Sequence, residues 1–324
     1  TKVARQFNGL ISKVLAAKYL VTSLSYLVIL FCFSPSIMAH SVGKPSGQDD
    51  RENEELRIVM SGAFVSESGI KVYDEIASYL QEKLKHKVTF VSGFSYATIN
   101  SMLDSGMADI GFIGGLSYIM KRDVPEPKID LLLAPVMKDP KYKDKSIYYS
   151  YVIVHKDSKF NSFSDLKGSR FVFNDEISNS GYNMLRAYLI ELGETFGFFG
   201  GITRAGSHEE SIRMVALGKA DVSAVDSLVY DYDLLNNPEY VQQTRIIKTL
   251  GPAGIPPVVI STKMPMSLRK KIKDILLGMK DDPAGKLILN KVLMDRFTVV
   301  EDSNYDGVRE MKKQAQESGY LVIR

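Results

Sequence analysis

Short apolar runs alternate with amphipathic segments along most of the chain after residue 55. Buried-type strands are predicted in LRIVM, KVTFV, ADIGFIG, YYSYVIVHK, RFVFN, ADVSAVD and PPVVIST. Helical periodicity is found in GIKVYDEIASYLQEKL, YATINSMLDSG, LSYIMKR, SFSDLKG, GYNMLRAYLIELG, HEESIRMVALG, SLRKKIKDILLGM and PAGKLILNKVLMDRF. This alternation of strands and helices predicts an α/β protein with mostly parallel sheets flanked by helices.

One part of this pattern occurs twice. Residues 95–118 and 207–230 are 112 positions apart and share seven of 24 residues. A helix followed by Gly-x-Ala-Asp and a strand is a common connection, with glycine ending the helix, and this is the alternative explanation. Because the spacing also holds on both sides of the connection, we predict two lobes built alike. Their predicted extents are 56–149 plus 256–324 for lobe 1, and 150–255 for lobe 2.

The first 39 residues are of a different kind. They contain four lysine or arginine residues and no acid, then an apolar run of about 15 residues and SPSIMA. Such a run has the length of a signal-peptide core and is short for a membrane span. We predict a secretion signal at 1–39, with an uncleaved anchor as the alternative. The polar residues 40–55 are predicted to form a flexible tether.

Without this leader the chain is almost neutral, with 41 − 4 = 37 basic residues against 38 acidic ones. The charge therefore gives no support for a nucleic-acid partner. The only cysteine, Cys32, lies in the leader, so disulfides and thiol catalysis are not expected. The four histidines lack metal-ligand spacing, and we find no nucleotide phosphate loop or nucleophile elbow. We expect no cofactor, no metal and no enzymatic activity.

The segment NDEISNSGYNML places Ser178, Asn179, Ser180 and Gly181 in front of a predicted helix. One such residue is enough to cap a helix, so plain capping is one explanation. The other is an oxyanion site, because a helix start offers unpaired amides and partial positive charge. Neutral donors of this kind suit a small anion, whereas a polyanion normally recruits clustered basic side chains.

The repeat pairs Tyr96 with His208 and places Asp226 just beyond a buried strand. Strand ends and helix starts are where open α/β sheets bind ligands. His208 is either a donor to an oxyanion or a helix-start surface residue, and Tyr96 and Tyr148 are either phenol donors or packing residues. Asp226 is either a cleft acceptor or the cap of the following turn.

Two segments, YYSYVIVHKDSKFNSFSDLKGSRFVFNDEISNSGY and AGSHEESIRMVALGKADVSAVDSLVYD, resemble the phosphate/phosphite/phosphonate-binding proteins of ABC importers. The resemblance covers roughly residues 57–305 and implies the two-lobed type II periplasmic binding fold, with two crossover strands. It implies a ligand cradle whose Ser-Thr-Ser helix start corresponds to Ser178, Asn179 and Ser180, with asparagine in place of threonine. The family's two tyrosines and its histidine correspond to Tyr96, Tyr148 and His208.

A further departure concerns the ligand. Binders of aminoalkylphosphonates hold the ligand amine with carboxylates, whose positions here correspond to Pro256 and the neighbourhood of Leu228. Asp226 is present, as in relatives that take simpler anions. The resemblance therefore implies phosphate, phosphite or an alkylphosphonate as the ligand. We expect a periplasmic component of an importer that delivers this ligand to membrane permease subunits. The alternative is a sensory protein of the same fold that signals to a membrane kinase.

Overall fold

The structure is a computed structural model, and it describes residues 55–62, 69–93 and 95–324. The predicted signal at 1–39 and all but the last residue of the predicted tether lie outside the described residues. No helix in the described ranges is long and apolar enough to cross a membrane.

Two sheets, flanked by helices, contain all the strands of the described residues. The strands are β1 (Leu56–Met60), β2 (Val88–Val91), β3 (Ile110–Phe112), β4 (Ile129–Met137), β5 (Ile147–His155), β6 (Arg170–Phe173), β7 (Gly201–Arg204), β8 (Val222–Asp226), β9 (Thr244–Gly254), β10 (Val258–Ser261) and β11 (Met294–Thr298). The α-helices are α1 (Ile70–Leu84), α2 (Tyr96–Ser105), α3 (Gly115–Arg122), α4 (Met184–Glu191), α5 (His208–Ala216), α6 (Ser227–Asn236), α7 (Pro238–Val241), α8 (Met266–Gly278), α9 (Pro283–Lys291) and α10 (Asp306–Glu317).

Both sheets have the same arrangement. The first has the order β11-β4-β10-β3-β1-β2, and the second has the order β7-β6-β8-β5-β9. Three strands are parallel in each sheet, β2-β1-β3 and β7-β6-β8. The next two strands in each, β10 and β4 or β5 and β9, are added antiparallel. Because β4 and β9 are each antiparallel to a reversed neighbour, four strands run in one direction in each sheet, and only β10, β11 and β5 run the other way. The prediction of mostly parallel sheets is therefore confirmed.

The repeat seen in the sequence is present in the structure at the same 112-residue spacing. Helices α2 and α5 begin at equivalent positions, each capped by a serine side chain, Ser95 or Ser207. Each is followed by a glycine of positive φ, which is 77° at Gly106 and 68° at Gly218. Strands β3 and β8 come next, and α3 and α6 begin directly after them. The loops at equivalent strand ends therefore occur once in each half of the repeat.

Other elements differ from the predictions. The segment SFSDLKG forms only a 3₁₀ turn at Ser164–Leu166. The helix predicted at 283–297 ends at Lys291, and β11 follows it. Leu293 adopts a φ of 59°, a left-handed conformation that stops the helix. Strand β11 then pairs with β4, which was itself not predicted, so its conformation depends on a partner more than 150 positions away.

The connection between β4 and β5 is bonded to α6 of the second half by a polar cluster. The buried Tyr142 hydroxyl donates to the Asp231 carboxylate at 2.5 Å. The Lys141 ammonium lies 2.6 Å from the same carboxylate. Burial raises the pKa of Asp231, although both partners act in the opposite direction. This cluster joins the crossover region to the helix that starts at the end of β8.

Candidate functional site

The helix start after β6 is a buried π-turn, Asn179–Asn183, that leads into α4. Ser178 is its N-cap, and its Oγ accepts the Gly181 N–H at 3.0 Å. The Asn183 N–H donates to the Ser178 carbonyl at 3.1 Å, which widens this first turn relative to an α-helix. Capping is thus one role of the segment, and Ser178 alone performs it.

The two following side chains bond to other elements. Asn179 donates through Nδ2 to the Tyr148 hydroxyl at 3.0 Å, so this turn is joined to crossover strand β5. The Ser180 Oγ lies 3.0 Å from Asp226 Oδ2, at the end of β8. Asn179 and Ser180 are each 2% exposed. Neither side chain is needed as a helix cap, which leaves both available to shape a binding site.

Asp226 lies at the junction of β8 and α6 and is 0% exposed. Its Oδ1 accepts the Leu228 N–H at 2.8 Å, so the carboxyl caps α6. Burial raises the pKa of Asp226 to about 8, even though the hydrogen bonds from Leu228 and Ser180 lower it. The carboxyl therefore holds a proton at neutral pH and adds no negative charge to this region.

His208, the first residue of α5, is also buried. Its Nδ1 accepts the backbone N–H of Asp226 at 3.3 Å, and its Nε2 lies 3.5 Å from the Ser178 Oγ. Burial lowers the pKa of His208 to about 3, so the imidazole is neutral at physiological pH. The His208 ring thus connects the start of α5 to the end of β8 and to the π-turn.

The two predicted tyrosines reach this place from different elements. Tyr148 lies on β5, whereas Tyr96 begins α2 beside the first sheet. Both are buried, and burial raises the pKa of each phenol, so both hydroxyls are un-ionised donors. The Tyr96 hydroxyl lies 3.4 Å from Nδ2 of Asn174 on the second-sheet side. The structure therefore brings all the predicted site residues into one buried cluster that joins the two halves of the chain.

Two members of this cluster were not predicted. Asn174 directly follows β6 and contacts both His208 and Tyr96. Ser150, on β5, donates through Oγ to the Ser180 carbonyl at 2.7 Å. Asn174 could have been predicted by the argument used for Asp226, because it too is a polar residue at the end of a buried strand. Ser150 had no such signal, because only strand pairing places it under the turn.

A cavity of about 230 Å³ opens next to this cluster. Of the predicted site residues, Tyr96 and His208 line it. The Arg204 side chain at its edge is paired with the Asp175 carboxylate, which offsets its charge. No group of histidine, cysteine and acidic residues in the described part of the chain could hold a metal ion.

The comparison with known families bears on this geometry. The model for the periplasmic substrate-binding proteins of phosphonate ABC transporters matches residues 63–305, most of the chain. This chain belongs to that family. As a member, it is a periplasmic substrate-binding component of an ABC importer.

Individual relatives of this phosphonate-binding family member agree with the assignment. The chain is 23% identical over 257 residues to a probable ABC transporter phosphite binding protein, PhnD1, of Prochlorococcus marinus, covering 75% of this chain and 84% of the relative. The structure of PhnD1 in complex with methylphosphonate matches with a TM-score of 0.72 at 20% identity, over 81% of this chain and 98% of that one. A phosphonate transporter binding protein of Pseudomonas aeruginosa matches with a TM-score of 0.74 at 18% identity, over 83% and 89%. These likenesses show the two-lobed type II periplasmic binding fold.

Proposed function

We propose that this protein binds a small phosphorus oxyanion, namely phosphate, phosphite or an alkylphosphonate, between its two lobes and presents it to the importer's permease. The observation that carries the proposal is the convergence of a helix start with donors from both halves of the chain. The proposed ligand-binding residues are Ser178, Asn179, Ser180, Gly181, Tyr96, Tyr148, His208 and Asp226.

The chemistry of this cluster suits a small anion. A helix start contributes backbone N–H groups and partial positive charge, and the surrounding hydroxyls and amide add neutral donors. Since the Asp226 carboxyl is protonated and His208 is neutral at physiological pH, these groups add no formal charge. The protonated Asp226 carboxyl can donate to the Ser180 Oγ, which leaves the Ser180 hydroxyl proton available for the oxyanion.

The ligand class follows from two further points. The family positions that hold a ligand amine correspond to the buried, apolar Pro256 and Leu228 region. An ammonium group there would be buried without a carboxylate partner, which is costly. PhnD1, the relative with 23% identity, is a probable phosphite binding protein whose structure contains methylphosphonate, and this likeness supports the same ligand class here.

The proposed mechanism is closure of lobe 1 (56–149 and 256–324) on lobe 2 (150–255) about the crossover strands, with permease subunits recognising the closed form. We further propose that residues 1–39 direct export and are removed, leaving 40–55 as a tether. N-terminal sequencing of the exported protein tests this, with a start near residue 40 as the expected result.

Calorimetric titration and thermal unfolding test the ligand assignment. We expect phosphite, phosphate or methylphosphonate to bind and to raise the melting temperature, with about 2.7 kcal/mol of added stability at a ligand concentration of 100 Kd. Aminoethylphosphonate should bind more weakly. Ser180→Ala should weaken binding about tenfold or more, whereas Ser267→Ala, at an exposed position on α8, should not. If none of the oxyanions binds at millimolar concentration, the assignment is wrong.

A further inference from the structure

Asn174 lies inside the ligand cluster in an unusual hydrogen-bonding situation. It is 0% exposed, and its Nδ2 lies 3.1 Å from His208 Nε2 and 3.4 Å from the Tyr96 hydroxyl oxygen. Its Oδ1 atom, on the Gly181 side, has no hydrogen-bond partner among the described residues. A Cβ placed on Gly181 would lie only 1.8 Å from this atom. One end of a buried amide therefore faces the helix start without a partner.

The tautomer of His208 determines which amide atom faces which side. Because Nδ1 accepts the Asp226 N–H, the proton of the neutral imidazole is on Nε2. An Nε2–H group requires an acceptor, and an amide NH₂ at 3.1 Å would oppose it donor to donor. The oxygen and nitrogen ends of an asparagine amide have the same shape, so the partners decide the orientation. The arrangement without conflict has the Asn174 oxygen facing His208 and Tyr96.

This orientation places the NH₂ group of Asn174 beside Gly181. The oxygen accepts from both His208 Nε2–H and the Tyr96 hydroxyl, one from each half of the chain. The NH₂ group then lies in the position that has no partner within the described residues. A buried donor without a partner is costly, so a ligand acceptor at this position would be stabilised by it.

We propose that Asn174 is a further ligand-contacting residue, whose amide donates to an unprotonated oxygen of the oxyanion held at the start of the π-turn. This inference rests on the proposed function and deepens it. A donor without an acceptor at this position favours an ionised oxygen over a hydroxyl. The close approach of the amide to Gly181 also limits the site to a compact head group.

Asn174→Asp is a matched test, because the side chain keeps its shape and an acceptor for His208 and Tyr96, and on ionisation it places a negatively charged acceptor beside Gly181 in place of the donor. Titration with phosphite and methylphosphonate should show at least a hundredfold loss of affinity at pH 7.5. Asn174→Ala, which removes the donor without adding charge, should lose about tenfold to hundredfold. Urea unfolding of both variants checks that each is folded, and the alanine variant alone is sufficient if the aspartate variant does not fold.

The outcomes separate this inference from the proposed function. One outcome would refute the inference alone: wild-type protein binds phosphite or methylphosphonate and Ser180→Ala weakens binding, but both Asn174 variants bind within threefold of wild type. In that case Asn174 does not contact the ligand. If wild-type protein binds neither, the proposed function is wrong. Nitrogen-15 NMR of His208 supplies an independent readout, and a proton on Nδ1 instead of Nε2 would overturn the orientation argued above.

Discussion

Asp226→Asn should make this protein more stable, although it removes a group proposed to lie in the binding site. The folded-state pKa of Asp226 is about 8, against 3.8 for the unperturbed carboxyl, because burial disfavours the charged form. Between these two values the folded protein holds a proton that the unfolded chain has released. The stability contributed by this group is therefore fully present below about pH 3.8 and is lost as pH rises to about 8.

The size of the effect follows from the pKa difference. At pH 7 the folded state keeps a proton on a group that would release it near pH 3.8, which costs about 4 kcal/mol at 1.36 kcal/mol per pH unit. Asparagine resembles the protonated acid in shape. Its oxygen can accept the Leu228 N–H, and its NH₂ group can donate to the Ser180 Oγ, the two contacts that Asp226 makes. The variant should thus gain most of this free energy.

Urea unfolding at several pH values measures this difference. The free energy of unfolding of Asp226→Asn should match wild type near pH 4 and exceed it by about 1.4 kcal/mol per pH unit above that, up to about 4 kcal/mol at pH 7. Asp281→Asn, at an exposed position, is the control and should change stability by less than about 0.5 kcal/mol at every pH. A pH-independent difference, or a variant less stable than wild type at pH 7, would refute the assignment of a neutral Asp226.

The same carboxyl gives a second readout in binding. Above about pH 8 the wild-type carboxyl ionises and repels an anionic ligand, so affinity should fall. Asp226→Asn should bind with little change over this range. If wild-type affinity instead rises above pH 8, the ionised carboxylate is the binding form and acts as an acceptor for a protonated ligand oxygen.

Three further predictions concern packing and charge in the ligand cluster and in the polar cluster around Asp231. Gly181→Ala should destabilise the protein by about 1–3 kcal/mol and abolish binding, because its methyl group would overlap Asn174. Gly115→Ala is the control and should be tolerated, because a Cβ there would lie 3.6 Å from its nearest neighbour. Denaturant titrations measure both, and adding Asn174→Ala to Gly181→Ala should restore part of the loss. Burial lowers the pKa of His208 to about 3, so its contribution to the free energy of unfolding is fully present above pH 6.5 and is lost as pH falls towards 3. His208→Asn should therefore become more stable relative to wild type over this pH range. Equal acid unfolding curves for the two proteins would contradict this. Tyr142→Phe should lower the free energy of unfolding by about 2 kcal/mol, because it removes the hydroxyl that donates to the half-buried Asp231 carboxylate on α6. An unchanged urea midpoint would contradict this.

Local interactions explain which elements could be predicted. Helices α2 and α5 are bounded by Ser95 and Gly106 and by Ser207 and Gly218, residues whose capping and turn preferences act within a few positions. For this reason the 112-residue repeat was visible in the sequence. Strand β11 could not be predicted in this way, because its residues follow a helical pattern and become a strand only by pairing with β4.

The same distinction between local and long-range interactions applies to the residues of the site. Ser178, Asp226 and His208 were predicted because strand ends and helix starts carry unpaired backbone groups wherever they occur. The sequence by itself therefore determined which loops carry polar chemistry. Only the tertiary structure decided that Asn174 meets the histidine and Tyr96 and that the Asp226 carboxyl is neutral, because distant elements must first enclose these groups and remove them from water.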